Sequence, residues 1–310
     1  MPGWFNFSFP DFCYSFLSVL LEGVPFILLG TAISGLIDQF LPARLMSRLL
    51  PRNPFLGACV SGLLGMIFPM CECAVVPVIR RLIAKGLPLS HAVTYMLAAP
   101  IVNPIVALST YAAFRGQGAG EMTAFRLGLG FAVAVLAGLA VHHLAPRSVL
   151  RPRVLESALA FGASSEMAPA PLLGMKARLS AALRVTVGDF LDVMLYFIIG
   201  AAIAAVFNTS VNQDALLPLA LNPWLATGSM MGLALMLSLC STSDAFIAAT
   251  FGLFPWAARL AFLVFGPMMD LKLLFIYSSV FRPRFVIGLA IGLFILIGLL
   301  CIRLGGVLNL

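Results

Sequence analysis

Phe68-Pro69-Met70-Cys71-Glu72-Cys73-Ala74-Val75-Val76-Pro77 sets two thiols, a carboxylate and two prolines in the middle of an apolar run. Proline removes a helical N–H and crowds the preceding turn. An ionisable group at bilayer depth is costly. A plain hydrophobic helix gains nothing from such residues, so the stretch reads as a break in a membrane segment, kept for function. The rest of the chain agrees. Of 310 residues, 61% are hydrophobic and 10% charged, at a mean hydropathy of +1.06, whereas soluble domains are about 25% charged. Apolar stretches of about 20 residues, the length that crosses a bilayer, follow one another along the sequence.

These features predict an all-α polytopic membrane protein in contact with the lipid bilayer. The net charge of +7 is mostly Arg in short loops. That is the positive-inside pattern and not a nucleic-acid footprint. Residues Met1 to Phe12 lack the basic start of a cleavable signal peptide. The six cysteines lie mostly within apolar segments and do not form a secreted disulfide framework.

Working outward from the break, spans are expected at Tyr14–Phe40, Leu87–Phe114, Thr123–His143, Thr186–Phe207, Trp256–Phe281 and Phe285–Arg303. Between them, Pro54–Phe68 and the piece ending at Arg80 are each too short to cross about 30 Å of hydrocarbon. The same is true of Pro223–Leu239 and Ala245–Phe254, which flank Cys240-Ser241-Thr242-Ser243-Asp244. The Leu87 span is interrupted at Ala99-Pro100-Ile101-Val102-Asn103-Pro104. Residues 145–185 form a basic, cytoplasmic linker, whose Ala163–Ala170 composition is that of a flexible chain.

Landmarks recur in order on either side of this linker. Glu22 precedes Gly30 by eight residues, and Asp192 precedes Gly200 by eight. Glu22 to Cys71 is 49 residues, and Asp192 to Cys240 is 48. Pro100 and Asn103 correspond to Pro267 and Asp270. This argues for an internal duplication of residues 1–144 and 186–310. If each Cys-containing pair of short helices is a re-entrant hairpin, each half has three spans and the second half is inverted. All strongly basic loops then lie on one side.

Inverted repeats with interrupted helices near the midplane are the architecture of secondary transporters. A small solute would bind where the breaks meet, near Cys71, Glu72, Cys73, Pro100, Asn103, Cys240, Ser241, Thr242, Ser243, Asp244 and Asp270. The half-helices expected near Ala74 and Asp244 would aim positive partial charge at it. The hydroxyls of Ser241, Thr242 and Ser243 either cap the second half-helix or contact solute. Asn103 either caps its own helix or offers an amide. Cys71 and Cys73 share a side only in extended backbone. With Cys240 they would give three thiols for a soft metal or metalloid, and the alternative is simple packing. A carboxyl group taken out of water holds its proton more readily, which makes Glu22, Glu72 and Asp192 candidate proton carriers. Asp270 has Lys272 nearby, and Asp192 has Arg184. The three histidines read as interfacial. No Gly-Lys-Ser/Thr phosphate loop occurs, which argues against an ATPase.

At these residues the chain resembles the YraQ-like permeases, the family that includes the ArsP-type organoarsenical efflux permeases. Pro69-Met70-Cys71-Glu72-Cys73 with Val76-Pro77, Ala98-Ala99-Pro100 with Asn103-Pro104, Cys240 through Phe246, and Leu21-Glu22-Gly23 with Pro25-Phe26 carry the likeness. The resemblance implies a multi-pass inner-membrane permease and, for one branch, efflux of trivalent arsenicals through cysteines. Proton-coupled exchange without a cofactor is the expectation, in a chain that is not an enzyme and that has the possibility of homo-oligomers. A membrane-embedded thiol redox enzyme and an uncoupled channel are the alternatives.

Overall fold

The computed structural model describes residues 8–40, 53–68, 70–152, 154–156, 175–210 and 222–308. The described residues form helices joined by short turns, with one isolated antiparallel bridge, Leu150 to Phe281. Five stretches are long and apolar enough to cross a membrane: Phe9–Phe40, Ala119–His142, Met175–Thr209, Trp256–Tyr277 and Pro283–Gly306. Shorter helices pack among them, and the chain is a multi-pass membrane protein.

The first half contains α1 (Phe9–Phe40), α2 (Pro54–Ile67), α3 (Glu72–Ala84), α4 (Leu89–Ala98), α5 (Pro104–Ala113), α6 (Ala119–His142) and the short α7 (Pro146–Val149). The second contains α8 (Met175–Ser210), α9 (Pro223–Leu237), α10 (Asp244–Thr250), α11 (Trp256–Met268), α12 (Leu271–Tyr277) and α13 (Pro283–Leu308). Three of the shorter helices begin at Asn-Pro. The Oδ1 atoms of Asn53, Asn103 and Asn222 accept from the N–H two residues on, at 3.1, 2.9 and 3.0 Å. The following proline occupies the first helical position, where no intrahelical N–H is required.

The broken segment is a hairpin. α2 runs beside α4 in the same direction, since Gly57 faces His91, Gly62 faces Thr94 and Gly65 faces Ala99. α3 joins α4 through the short turn 85–88 and packs against it, so it runs opposite to α2. α3 also runs parallel to α1. Gly30 lies on the Ala74 backbone, Ser34 Oγ donates to the Pro77 carbonyl at 3.2 Å, and Lys85 Nζ donates to the Asp38 carbonyl at 2.6 Å. α1 and α8 form a long antiparallel pair, with Gly23 on Phe197 and Gly35 on Ala182.

Several pairings recur in both halves, although α1 packs on α3 where α8 packs on α12. α2 packs on α4 and α6, as α9 packs on α11 and α13, and α3 packs on α4 as α10 packs on α11. Between the halves, α3 touches α12 and α5 touches α10.

Some boundaries differ from expectation. α8 begins at Met175, so Lys176, Arg178 and Arg184 are helical and not part of a linker. The Ala163–Ala170 stretch, most of the 208–222 loop, the Arg44–Arg52 loop and Pro69 lie outside the described residues. His91 is buried, with Nδ1 2.9 Å from Ser90 Oγ, and is not interfacial.

Candidate functional site between the helix breaks

The first break places Cys71 in extended backbone at the N-cap of α3, with φ −73° and ψ 162°. Glu72 opens the helix and Cys73 is its next residue. Pro77 lacks an N–H, which frees the Cys73 carbonyl from its helical partner. The second break begins at Ser238, which is left-handed at φ 49° and is the only non-glycine with positive φ among the described residues. Such backbone costs about 1–2 kcal/mol, and here it turns the Ser238 carbonyl toward Lys272.

Lys272 lies in the first turn of α12 and ties the two breaks together. Its Nζ is 2.9 and 3.3 Å from the Ser238 and Leu239 carbonyls, 3.2 Å from Glu72 Oε1 and 3.4 Å from Asp270 Oδ2. Ser241 Oγ donates to Glu72 Oε2 at 3.3 Å. Asp270 Oδ1 caps α12 by accepting from Leu273 N at 2.7 Å, while its Oδ2 has no hydrogen-bond donor. Glu72, Asp270 and Lys272 are all buried. Two carboxylates therefore share one ammonium.

A second buried pair braces the other side. Arg126, on α6 and fully buried, donates to Asp244 Oδ2 at 2.7 Å and to the Ser241 carbonyl at 3.0 Å, and its other terminal nitrogen reaches Thr110 Oγ1 at 2.7 Å. This residue was absent from the sequence-based candidates. Its signal was available: it is the single Lys or Arg in the span 123–143, and intramembrane arginine marks a buried partner.

Between the breaks and α1 is a cavity of about 320 Å³, lined by Glu22, Phe26, Cys71, Asn103, Cys240, Ser241 and Thr242 among others. A small pocket behind it reaches Glu72, Cys73 and Lys272. Six of the expected site residues thus share one cavity. Pro100 and Ser243 do not line it. Asp244 turns to Arg126, and Asp270 turns to α12. Asn103 lines the cavity and also caps α5.

In three places the geometry departs from the expected arrangement. Among the described residues no three His, Cys, Asp or Glu side chains are arranged to hold a metal ion. Cys71 and Cys240 line the cavity, and both also line the small pocket together with Cys73, which is already helical and lies beside Lys272. Asp192 pairs with Arg80 at 3.0 Å, not with Arg184, and its side chain is 56% exposed at the basic face. Asp189 holds the buried position there. It accepts two bonds from Arg81 at 3.0 Å and one from Ser34 Oγ at 2.8 Å. Lastly, the half-helix dipoles are not free to attract an anion. Glu72 and Asp244 stand at the N-termini of α3 and α10, where a carboxylate offsets the positive end, and α10 has only seven residues.

Comparison with known proteins follows the same lines. Residues 9–308 match the family model ArsP_1, described as a predicted permease. The chain belongs to this ArsP_1 permease family. The UPF0718 protein YcgR of Bacillus subtilis is 38% identical over 273 residues, covering 87% of this chain and 89% of the relative. A Streptococcus mutans protein named "Putative two-component membrane permease complex subunit" is 34% identical over 278 residues, covering 88% and 87%. No solved structure matches.

Proposed function

We propose that this permease moves a small solute with a soft, thiol-seeking atom, by proton-coupled alternating access through the cavity between α1 and the two breaks. The cavity itself carries the reading: Glu22, Cys71, Asn103, Cys240, Ser241 and Thr242 line a single space. Its charge is acidic, which favours a neutral or cationic species over an anion. Two thiols facing it favour a trivalent arsenical or a similar soft species. An inverted repeat is supported by the matched helix pairings and by the reciprocal contacts α3–α12 and α5–α10.

Proton coupling is supported by the charge count. Glu72 and Asp270 share Lys272 in a buried setting, which leaves one negative charge in excess, and a buried unpaired charge is strongly disfavoured. One proton on this group, exchanged with Glu22 across the small pocket, balances it. Asp192, exposed at the basic face, has no part in this exchange. The Streptococcus relative's name suggests a second subunit, and the same arrangement is proposed here beside self-association.

The test is flux in proteoliposomes of arsenite, methylated trivalent arsenicals, Cu(I) and Zn(II), with and without a pH gradient. Flux of one solute that Cys71→Ser/Cys240→Ser abolishes and Cys73→Ser spares is expected. Equal loss from Cys73→Ser, or flux indifferent to all three thiols, contradicts the reading.

A further inference from the structure

We infer that the basic face carries a separate site for a phosphate-bearing anion, in the cavity lined by Arg80, Arg151, Asp192, Tyr196 and Ser279. This cavity holds about 530 Å³ and shares no lining residue with the central one. It is built, not incidental. The segment after α7 is pinned to the α12–α13 turn by the Leu150–Phe281 bridge, with Arg151 N donating to the Val280 carbonyl at 3.0 Å and Arg282 N donating to the Val149 carbonyl at 2.8 Å. Arg151 is thereby fixed at the rim. Its guanidinium donates to Tyr196 Oη at 2.9 Å and lies 5.5 Å from that ring's centre.

Charge and hydrogen bonding both point to an anion. Among the described residues Arg151 has no carboxylate partner, so its charge is met only by a neutral phenol. Ser279 Oγ, also on the lining, is buried with no hydrogen-bond partner. Arg80 is held at 3.0 Å by Asp192, a carboxylate that is itself half exposed, with the buried Asp189 at 3.7 Å on the same nitrogen. A phosphate oxygen matches all three: a fork for Arg151, an acceptor for Ser279, and a replacement for Asp192 on Arg80. Basic pockets between helices on the cytoplasmic side take anionic headgroups, and a soluble phosphate presents the same atoms. The inference is independent of what the central cavity carries.

The probes are inorganic phosphate and phosphatidylglycerol, offered to the full chain in phosphatidylcholine nanodiscs. Phosphate is followed by calorimetry and lipid retention by native mass spectrometry. Loss of one charge-assisted contact is expected to weaken binding about tenfold in Arg151→Gln and Arg80→Gln. Asp192→Asn, a change at a half-exposed side chain, is expected to tighten it several-fold by removing the nearer competing carboxylate. Saturable binding of phosphate alone assigns a soluble ligand. Retention of phosphatidylglycerol alone assigns a lipid, and both together assign a site open to either. No saturable binding of either probe overturns the inference, as does binding that none of the three substitutions alters.

Discussion

Arg126 spends its donors on both halves of the molecule. It holds Asp244, the Ser241 carbonyl and Thr110, with its Nε alone unpartnered. Truncating one member of a buried ion pair strands the other, at a cost of about 3–5 kcal/mol. Arg126→Gln is therefore expected to lower unfolding free energy by that amount in nanodiscs, and Arg126→Gln/Asp244→Asn to recover most of it. A double variant no better than the single one would mean that the pair is not what Arg126 supports. At this scale the sequence was half legible. A lone arginine in an apolar span shows that a partner exists. It cannot show which, because Asp244 is 118 residues away and the pairing depends on how α6 meets the second break. Asp189 escaped for a related reason. It stands three residues before Asp192 on the same helix, and only packing decides which of the two is buried beneath Ser34 and Arg81.

Among the elements, the two long helices admit the short ones through glycine. Gly30 receives the first turn of α3 at Ala74, and Gly200 receives α12 at Lys272, where a Cβ would stand 2.8 Å from the Cα. Backbone cannot yield as a flexible side chain can. Gly30→Ala is expected to destabilise by about 1–3 kcal/mol, with flux lost as α3 shifts. Gly228→Ala on α9, where a Cβ meets nothing within 4 Å, is expected to stabilise by about 0.5–1 kcal/mol through helix propensity. Thermal melts of the two read the opposite signs, and a like response from both contradicts the close-approach account. The equal spacing of Glu22 to Gly30 and Asp192 to Gly200 was visible in the sequence, but not that Gly30 meets α3 and Gly200 meets α12. The breaks were visible because proline and charge interrupt apolar runs. The failure of the dipole expectation was only partly visible: a helix start near Asp244 was expected, whereas the start of α3 at Glu72 and the seven-residue length of α10 were not.

For the molecule as a whole, the packing sets two faces. Lys85, Arg81, Arg80, Arg151 and Arg282 gather at one end, where Asp38, Asp189 and Asp192 join α1, α3 and α8. Gln117 and Arg259 meet at the other, 2.8 Å apart. The positive-inside rule predicts that the first face is cytoplasmic. A cysteine at Arg147 is expected to react with an impermeant maleimide only from the cytoplasm, and one at Gln117 only from outside, in a chain whose native cysteines are replaced. Labelling of both from one side would contradict α6 as a membrane crossing. The fold class followed from hydropathy alone. The path through the protein did not, because which of the polar groups share a cavity depends on contacts between halves that no local pattern encodes.

Two carboxylates around one ammonium at bilayer depth have an electrical consequence. Arg126 with Asp244 is neutral, so its displacement crosses the membrane field without work. The Glu72–Asp270–Lys272 group is neutral only while it carries a proton. Stripped of it, the group drags one uncompensated charge, worth about 2.3 kcal/mol for each 100 mV it traverses in full. Under the proposed cycle, one half of the stroke is therefore indifferent to voltage and the other is driven or opposed by it. Imposing a potassium diffusion potential on proteoliposomes at fixed pH is expected to change the flux, and Glu72→Gln to make the flux insensitive to voltage.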